Sequence, residues 1–480
     1  MGKYLLHLVC LSGLLISGAS LEAKVLLPSF FSDNMVLQQQ RDVAVWGRSD
    51  SGRKVTIRPS WTKAKYTVVP DSDGKWSASI ATPAAGGPYR IEFNDGDKTI
   101  LENILIGEVW FCSGQSNMEM PVKGFYGQPV NGSAETILCA TPDVPIRVCT
   151  IGKKYSLTAL DECTGSWEEH TPRAVAEASA VAYFFAQTLY RSLHIPIGLL
   201  ITDWGGTPIE TWMNRETLDR DFAGEFNMGH LDSGVIPEKY PNCSPCMLFN
   251  GQVAPLIPFT FKGMIWYQGE TNRDRAEQYT RLQTAYVKMM RELFRNPDAP
   301  FYFVQIAPYD YSMDPDRLCG YFYEAQKATL ALIPHSGMAA TVDIGEKKCI
   351  HPAKKKEVGQ RLAWMALADE YGVRGIEERS PEFVGVEFKG SAATLKSNVG
   401  NLGLAPIKTE LGGFELAGED RVFHPATGRV DGNKVIVCSP EVPDPVAVRY
   451  CFRNWCRGSV FNTYGLPVLP YRSDDWPLDQ

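Results

Sequence analysis

A serine, a histidine and three polar or glycine-rich turns carry the chemical interest of this chain. Gly114-Gln115-Ser116-Asn117-Met118 follows the apolar run VWFC. A Ser in a tight turn at a strand end offers its hydroxyl to a carbonyl, while neighbouring N–H groups face the developing oxyanion. Alone, such a Gly-x-Ser is more often a plain turn. Asp203-Trp204-Gly205-Gly206-Thr207 follows GLLIT. Paired glycines let the backbone approach a ligand closely, so a Gly205 or Gly206 N–H is a candidate oxyanion donor, with a strand-to-helix turn as the plain alternative. Trp266 to Asn272 brings Gln268, whose amide is a third candidate donor; a helix start capped by Thr271 or Asn272 fits the same residues.

Asp343-Ile344-Gly345 precedes Ile350-His351-Pro352. Histidine is the usual base for a serine. Pro352 reads as the first residue of a helix to about Ala368, which places His351 at a helix N-terminus where the dipole disfavours the imidazolium. The remaining histidines of the chain have plainer contexts: His7 in an apolar leader, His170 and His194 flanking a helix, His230 and His335 in loops, His424 in a β-rich region. No metal site and no cofactor are expected, since His-x-x-x-His and Asp-rich calcium loops are missing and Cys243-x-x-Cys246 lacks a second ligand pair. That pair reads as a local disulfide or two loop thiols. Lys354 to Lys356 reads as a solvated helix face. Trp204 and Trp212, near the expected site, are candidates for stacking against a ligand, with ordinary packing as the alternative.

The elements that must position these residues fall into three sections. From Lys24 to about Asn103, short β-rich runs (VAVWG, KVTIRPSW, YRIEF) read as a β-sandwich. From 104 to 374, apolar strands alternate with amphipathic helices. Expected strands are 109–112, 198–202, 263–267, 301–306 and 338–342, and one expected helix places Tyr279, Leu282, Tyr286, Met289 and Leu293 on a single face. The expected fold class is therefore α/β: a doubly wound, parallel, five-stranded sheet, with its site at the carboxyl ends of the strands. From 375 to 480 the helices stop, and KVIVCSP and VAVRYCF indicate a second β-domain.

Bulk properties agree with a catalytic protein of this kind. In 480 residues, 44% are hydrophobic and 21% charged, enough for sizeable cores. A net charge of -7 without a basic stripe argues against nucleic acid as a partner. Lys3, the apolar run Tyr4 to Ile16 and the small residues after it read as a secretory signal ending near Ala19 or Ala23, hence a secreted or periplasmic protein without a membrane span. Loss of Cys10 with that segment leaves an odd number of cysteines, so a complete disulfide framework is excluded.

These blocks in this order resemble the sialate O-acetylesterase family within the SGNH hydrolase superfamily. The resemblance rests on DNMVLQ (33–38), GEVWFCSGQSNMEMPV (107–122), GSWEEHTP with SAVAYFF (165–172 and 179–185), PIGLLITDWGGTPIETWM (196–213), LFNGQVAPL with KGMIWYQGETN (248–256 and 262–272), IHP and GQRLA (350–352 and 359–363), and AVRYCFRNW with GLP (447–455 and 465–467). It implies an SGNH-like catalytic core, Ser116 as nucleophile, His351 as base, and the Ser116, Gly205 or Gly206 N–H groups with Gln268 as oxyanion donors. The superfamily often carries an Asp two or three residues before the His, where this chain has Cys349 and Lys348. Asp343 is the candidate third member, with a Ser-His dyad as the alternative. The implied substrate is an O-acetylated sialic acid. Another acetylated glycan such as acetylxylan is the runner-up, and a non-catalytic glycan-binding protein the reading from a different class.

Overall fold

The computed structural model describes residues 25–49 and 52–477. The expected secretory signal lies outside them. In the N-terminal region the strands are β1 (Val36–Gln38), β2 (Asp42–Arg48), β3 (Val55–Pro59), β4 (Tyr66–Val68), β5 (Lys75–Ala81), β6 (Gly86–Asn94) and β7 (Lys98–Gly114). β2 and β5 form an antiparallel pair, while β3 joins β4 and β6, and β6 joins β7. Alternation fixes the inner face: Val43 and Val45 on β2, Val55 and Ile57 on β3, and Ile91 and Phe93 on β6 are all buried in one cluster.

β7 has a double role. Its first half pairs with β6, and its second half becomes a central strand of the large parallel sheet. That sheet continues with β8 (Ile146–Thr150), β9 (Trp167–Glu168), β10 (Ile197–Asp203), β11 (Gly263–Tyr267), β12 (Phe301–Val304) and β13 (Ser336–Ala339), in the order β13-β12-β11-β7-β10-β8-β9. All of these neighbours run parallel except β8 and β9. The sequence leads to five parallel strands, and the structure corrects this to six, with β9 added antiparallel at the edge. β8 escapes a hydropathy reading because Arg147 interrupts it. The guanidinium is buried and reaches Glu169, with Nη2 to Oε1 at 3.1 Å.

Successive residues of β7 enter different cores, as a pleated strand between two layers requires. Val109 and Phe111 join the cluster containing Tyr279, Leu282, Tyr286 and Met289 of the helix Ala276–Leu293. Trp110 and Cys112 join the cluster formed with the helices Ala180–Leu193 and Lys355–Tyr371. Thr171 caps the helix Pro172–Glu177 as its type predicts, its hydroxyl accepting from the Ala174 N–H at 3.2 Å. The C-terminal region is a separate antiparallel sheet with its own core around Leu395, Phe414, Leu416, Val435, Val448 and Tyr450.

The topology decides where the loops meet. β10 and β11 flank β7, and Gly114 is paired with Asp203 on one side and Tyr267 on the other. Three strand ends therefore finish level, and β7 separates the strands laid down on one side (β8 to β10) from those laid down on the other (β11 to β13), the switch point where open α/β sheets form their crevice. One helix contact beneath that crevice is unusually close. A Cβ at Gly359 would lie 2.7 Å from the Phe185 nitrogen and 2.7 Å from the Val181 oxygen. Since both are backbone atoms, Gly359→Ala must separate the two helices. A loss of about 1–3 kcal/mol is expected, measured by denaturant unfolding; wild-type stability in the variant would refute the close packing.

Candidate active site

Ser116 opens the four-residue helix Ser116–Glu119 directly after β7. The turn into it demands glycine at 114: φ is +151°, and a Cβ there would sit 2.1 Å from the Tyr267 oxygen. Both flanking blocks are fastened to this turn. Gln115 N donates to Tyr267 O at 3.0 Å, the Gln115 side-chain oxygen accepts from Gly269 N at 3.3 Å and Thr271 N at 3.4 Å, and Trp204 N donates to Gly114 O at 3.1 Å. Ser116 is half-buried, and among the described residues nothing accepts from its N–H or bonds to its Oγ.

Gly205 lies against the serine: a Cβ there would fall 3.1 Å from Ser116 Cβ. Its N–H is engaged: it donates to Glu119 Oε2 at 2.6 Å, while Glu119 Oε1 accepts from Lys153 Nζ at 2.6 Å. Gly206 is a turn residue at φ +73° with open space around its Cα. Gln268 departs from expectation. It is fully buried, and its Nε2 donates to Thr207 O at 3.1 Å and Asn272 Oδ1 at 2.7 Å, which commits both amide hydrogens to holding the 203–212 and 266–272 blocks together. It supplies no free donor in this state.

His351 is half-buried and held on two sides by the hairpin 125–128. Nδ1 meets Gln128 Oε1 at 2.6 Å, and the Phe125 ring packs edge-on with centroids 5.3 Å apart. A proton on Nδ1, donated to that oxygen, leaves Nε2 with a free lone pair, the tautomer a general base needs. Burial and then the nearby Lys355 cation push the imidazole down to about 4, with Glu119 opposing. The expected helix-dipole contribution is absent, because the helix begins at Lys355 and not at Pro352. Ser116 Oγ and His351 are not hydrogen-bonded to one another among the described contacts. Their loops are nevertheless tied, since Asn117 Nδ2 donates to Ile350 O at 3.1 Å.

Asp343 does not orient the histidine. It forms a two-pronged pair with Arg361, Nη1 to Oδ1 and Nη2 to Oδ2 both at 2.8 Å, and Arg361 also holds Ala340 O. This fastens the end of β13 to the helix Lys355–Tyr371. Cys349, in the position where the resembled superfamily carries its Asp, turns its thiol to the His351 carbonyl at 3.2 Å. Trp212 is fully buried, donating from Nε1 to Thr207 Oγ1 at 3.1 Å, and has no face for a ligand. Trp204 does: it is partly exposed, with Lys153 Nζ 5.6 Å over its ring.

The sequence reading missed a buried polar cluster beneath the serine. Asn117 Nδ2 donates to Glu270 Oε1 at 2.6 Å, and Lys355 Nζ donates to Asn117 Oδ1. All three side chains are buried, so Lys355 is no part of a solvated face. Burial raises Glu270 and lowers Lys355 to about 7, each opposed by the other's charge. Arg273 Nη1 adds a bond to Glu270 O at 2.8 Å and lies 4.2 Å over the Tyr311 ring. Beside the serine, Asp203 is also buried, its carboxyl raised to about 7 by burial and by Glu119.

Comparisons with known proteins agree on one relationship. Residues 106–368 match the family model described as carbohydrate esterase, sialic acid-specific acetylesterase. The chain is 28% identical over 409 residues to sialate O-acetylesterase of Mus musculus, covering 74% of this chain and 75% of that protein. It is 27% identical over 388 residues to sialate O-acetylesterase of Homo sapiens, covering 74% and 72%. A carbohydrate acetylesterase from Xanthomonas citri superposes with a TM-score of 0.83 at 33% identity, over 94% of this chain and 100% of the other. With more than half its length matched, including both the Ser116 turn and the His351 loop, this chain belongs to the sialic acid-specific acetylesterase family of carbohydrate esterases.

Proposed function

We propose that the protein is a secreted or periplasmic O-acetylesterase that cleaves acetyl groups from a sugar by serine acyl transfer, with O-acetylated sialic acid as the substrate. The observation that carries the reading is the Ser116 turn at the switch point with His351 Nδ1 set against Gln128 Oε1 and its loop tied to the turn through Asn117. Ser116 Oγ attacks the acetyl carbonyl as His351 Nε2 takes its proton. The imidazolium then protonates the departing sugar oxygen, leaving an acetyl-serine, and water attacks with His351 again as base.

Gln128 takes the orienting place that a carboxylate fills in a triad. A neutral amide holds the ring without stabilising the imidazolium by charge, so the site works as a Ser-His dyad with an oriented base. The Ser116 N–H faces the oxyanion directly. Gly205 N–H joins it when Glu119 withdraws, and Lys153 already holds that carboxylate's other oxygen. At the mouth, Trp204 offers a ring face to the sugar and Lys153 a cation to a substrate carboxylate. The same chemistry on a neutral acetylated glycan is the second reading, favoured by the Xanthomonas citri neighbour, which is described only as a carbohydrate acetylesterase.

Four measurements test this. Ser116→Ala is expected to lower kcat by about 10³-fold or more on 9-O-acetylated sialic acid with an unchanged fold by circular dichroism; retained activity would sink the nucleophile assignment. Turnover of acetylxylan in preference to the sialic acid would move the substrate to the second reading. Gln128→Ala is expected to cost about 10- to 100-fold in kcat with little change in unfolding midpoint, whereas Asp343→Asn shifts the midpoint and spares most of kcat. The reverse ranking would return Asp343 to the active site. Finally, His351 acts only when neutral, and its folded pKa lies near 4. Activity should persist as pH falls from 7 to about 5 and drop as it passes through about 4, well below the 6.5 of an ordinary histidine. Lys355→Met removes a repelling cation and should raise that acid limb; a limb near 6.5 in the wild type would contradict the burial argument.

A further inference from the structure

The C-terminal sheet reaches the catalytic region through the segment 451–456, which leaves the strand Ala447–Tyr450. Asn454 makes most of the junction. Its backbone donates to Asp316 O at 2.6 Å and accepts from Tyr309 N at 3.0 Å, while its side chain accepts from Cys319 N at 2.9 Å and donates to Pro315 O at 2.9 Å. The segment it grips, 309–319, carries Tyr311 and Asp314. Both lie on Arg273, with Asp314 Oδ2 accepting from Nε at 2.6 Å, and Arg273 in turn holds the backbone of Glu270.

Two cysteines bracket this grip. Cys451 Sγ and Cys456 Sγ lie 3.1 Å apart, closer than two unbonded sulfurs ordinarily approach. Both lie over Gly413, where a Cβ would be 3.0 Å from the first sulfur and 3.3 Å from the second, so the opposing strand leaves room for the pair. Gly413 O also accepts from Cys451 N at 2.8 Å, which fixes one end. Cys451 is buried and Cys456 half-buried, the arrangement of a resolving and an attacking thiol. Contact with Cys451 favours the thiolate of Cys456, while burial raises Cys451.

We propose that Cys451 and Cys456 are a modification site: they form an intrachain disulfide by exchange with a disulfide-bearing thiol compound, which closes the segment around Asn454 and locks the C-terminal sheet to the loop beside Arg273. The exchange is balanced. Cys456 thiolate attacks one sulfur of the donor RSSR, forming a mixed disulfide and releasing RS⁻. Cys451, losing its proton to solvent, then attacks Cys456 Sγ and releases the second RS⁻. Two cysteine thiols are oxidised and one donor disulfide is reduced to two thiols. The inference is independent of the esterase reading.

Trypsin provides the test, because Arg449, Arg453 and Arg457 cut on both sides of each cysteine. The purified full chain is equilibrated with oxidised glutathione, denatured, alkylated and digested. The expected result is Tyr450–Arg453 joined to Asn454–Arg457, lighter by two hydrogens than the free peptides together. Recovery of the two peptides separately, alkylated or each carrying glutathione, would overturn the proposal. A second readout is the unfolding midpoint, expected several degrees higher in the oxidised chain than after reduction by dithiothreitol. Cys456→Ser should abolish that difference, and its full persistence in the variant would also refute the assignment.

Discussion

The level ending of β7, β10 and β11 is the constraint on which the site depends. Gly114 is in register with both Asp203 and Tyr267, and its own carbonyl and the neighbouring Gln115 N–H bond outward to the two flanking loops. A side chain at 114 would strike the Tyr267 backbone, so this junction tolerates only the residue that has none. Everything chemical is hung from it: the serine one residue beyond the Gln, the Gly205 N–H from one side, the Gln268–Asn272 clamp from the other. A shift of any one strand along its axis would separate groups that no side-chain rotation could bring back.

Beneath this frame sits a cost that the protein carries for the sake of position. Asn117, Glu270 and Lys355 are polar and buried, and burying a charge without partners costs several kcal/mol. Mutual bonding offsets much of this, but Glu270 Oε2 is left without a partner among the described residues. Networks of this type rigidify what they touch when well satisfied. Here they touch the residue after the serine and, through Ile350, the residue before the histidine. The cluster thus fixes the spacing of Ser116 and His351 from below, while Gln128 and Phe125 fix the imidazole from the side.

Much of this was legible in the sequence where the signal is local. The serine, glycine, glutamine and histidine blocks each follow an apolar run, and a strand end followed by a turn needs only a few neighbours to be recognised. What escaped depends on distant partners. Gln128 sits 223 positions from His351 in a hairpin without any chemical signature. Lys355, between two other lysines, reads as solvated until the helix is seen to turn it inward. Asp343 has the right residue type near the right strand, but Arg361 on the following helix claims both its oxygens. Gln268 has the right chemistry, and its hydrogens are spent on packing two loops. β8 was hidden by one charged residue whose partner, Glu169, lies beyond the strand.

The shared strand β7 has a bearing on how the chain can be divided and how it assembles. Its 17 residues belong to two sheets at once, so removing the N-terminal strands would strip hydrogen-bonding partners from the upstream half of the strand that delivers Ser116. It is also the first strand of the catalytic sheet to leave the ribosome, while its neighbours β10 and β11 arrive some 80 and 150 positions later. Its outer half pairs with β6 through a short local connection, the kind of contact whose closure costs little chain entropy. The N-terminal region thereby gives the central strand its partner nearest in sequence, while β10 and β11, its neighbours in the parallel sheet, come from far along the chain.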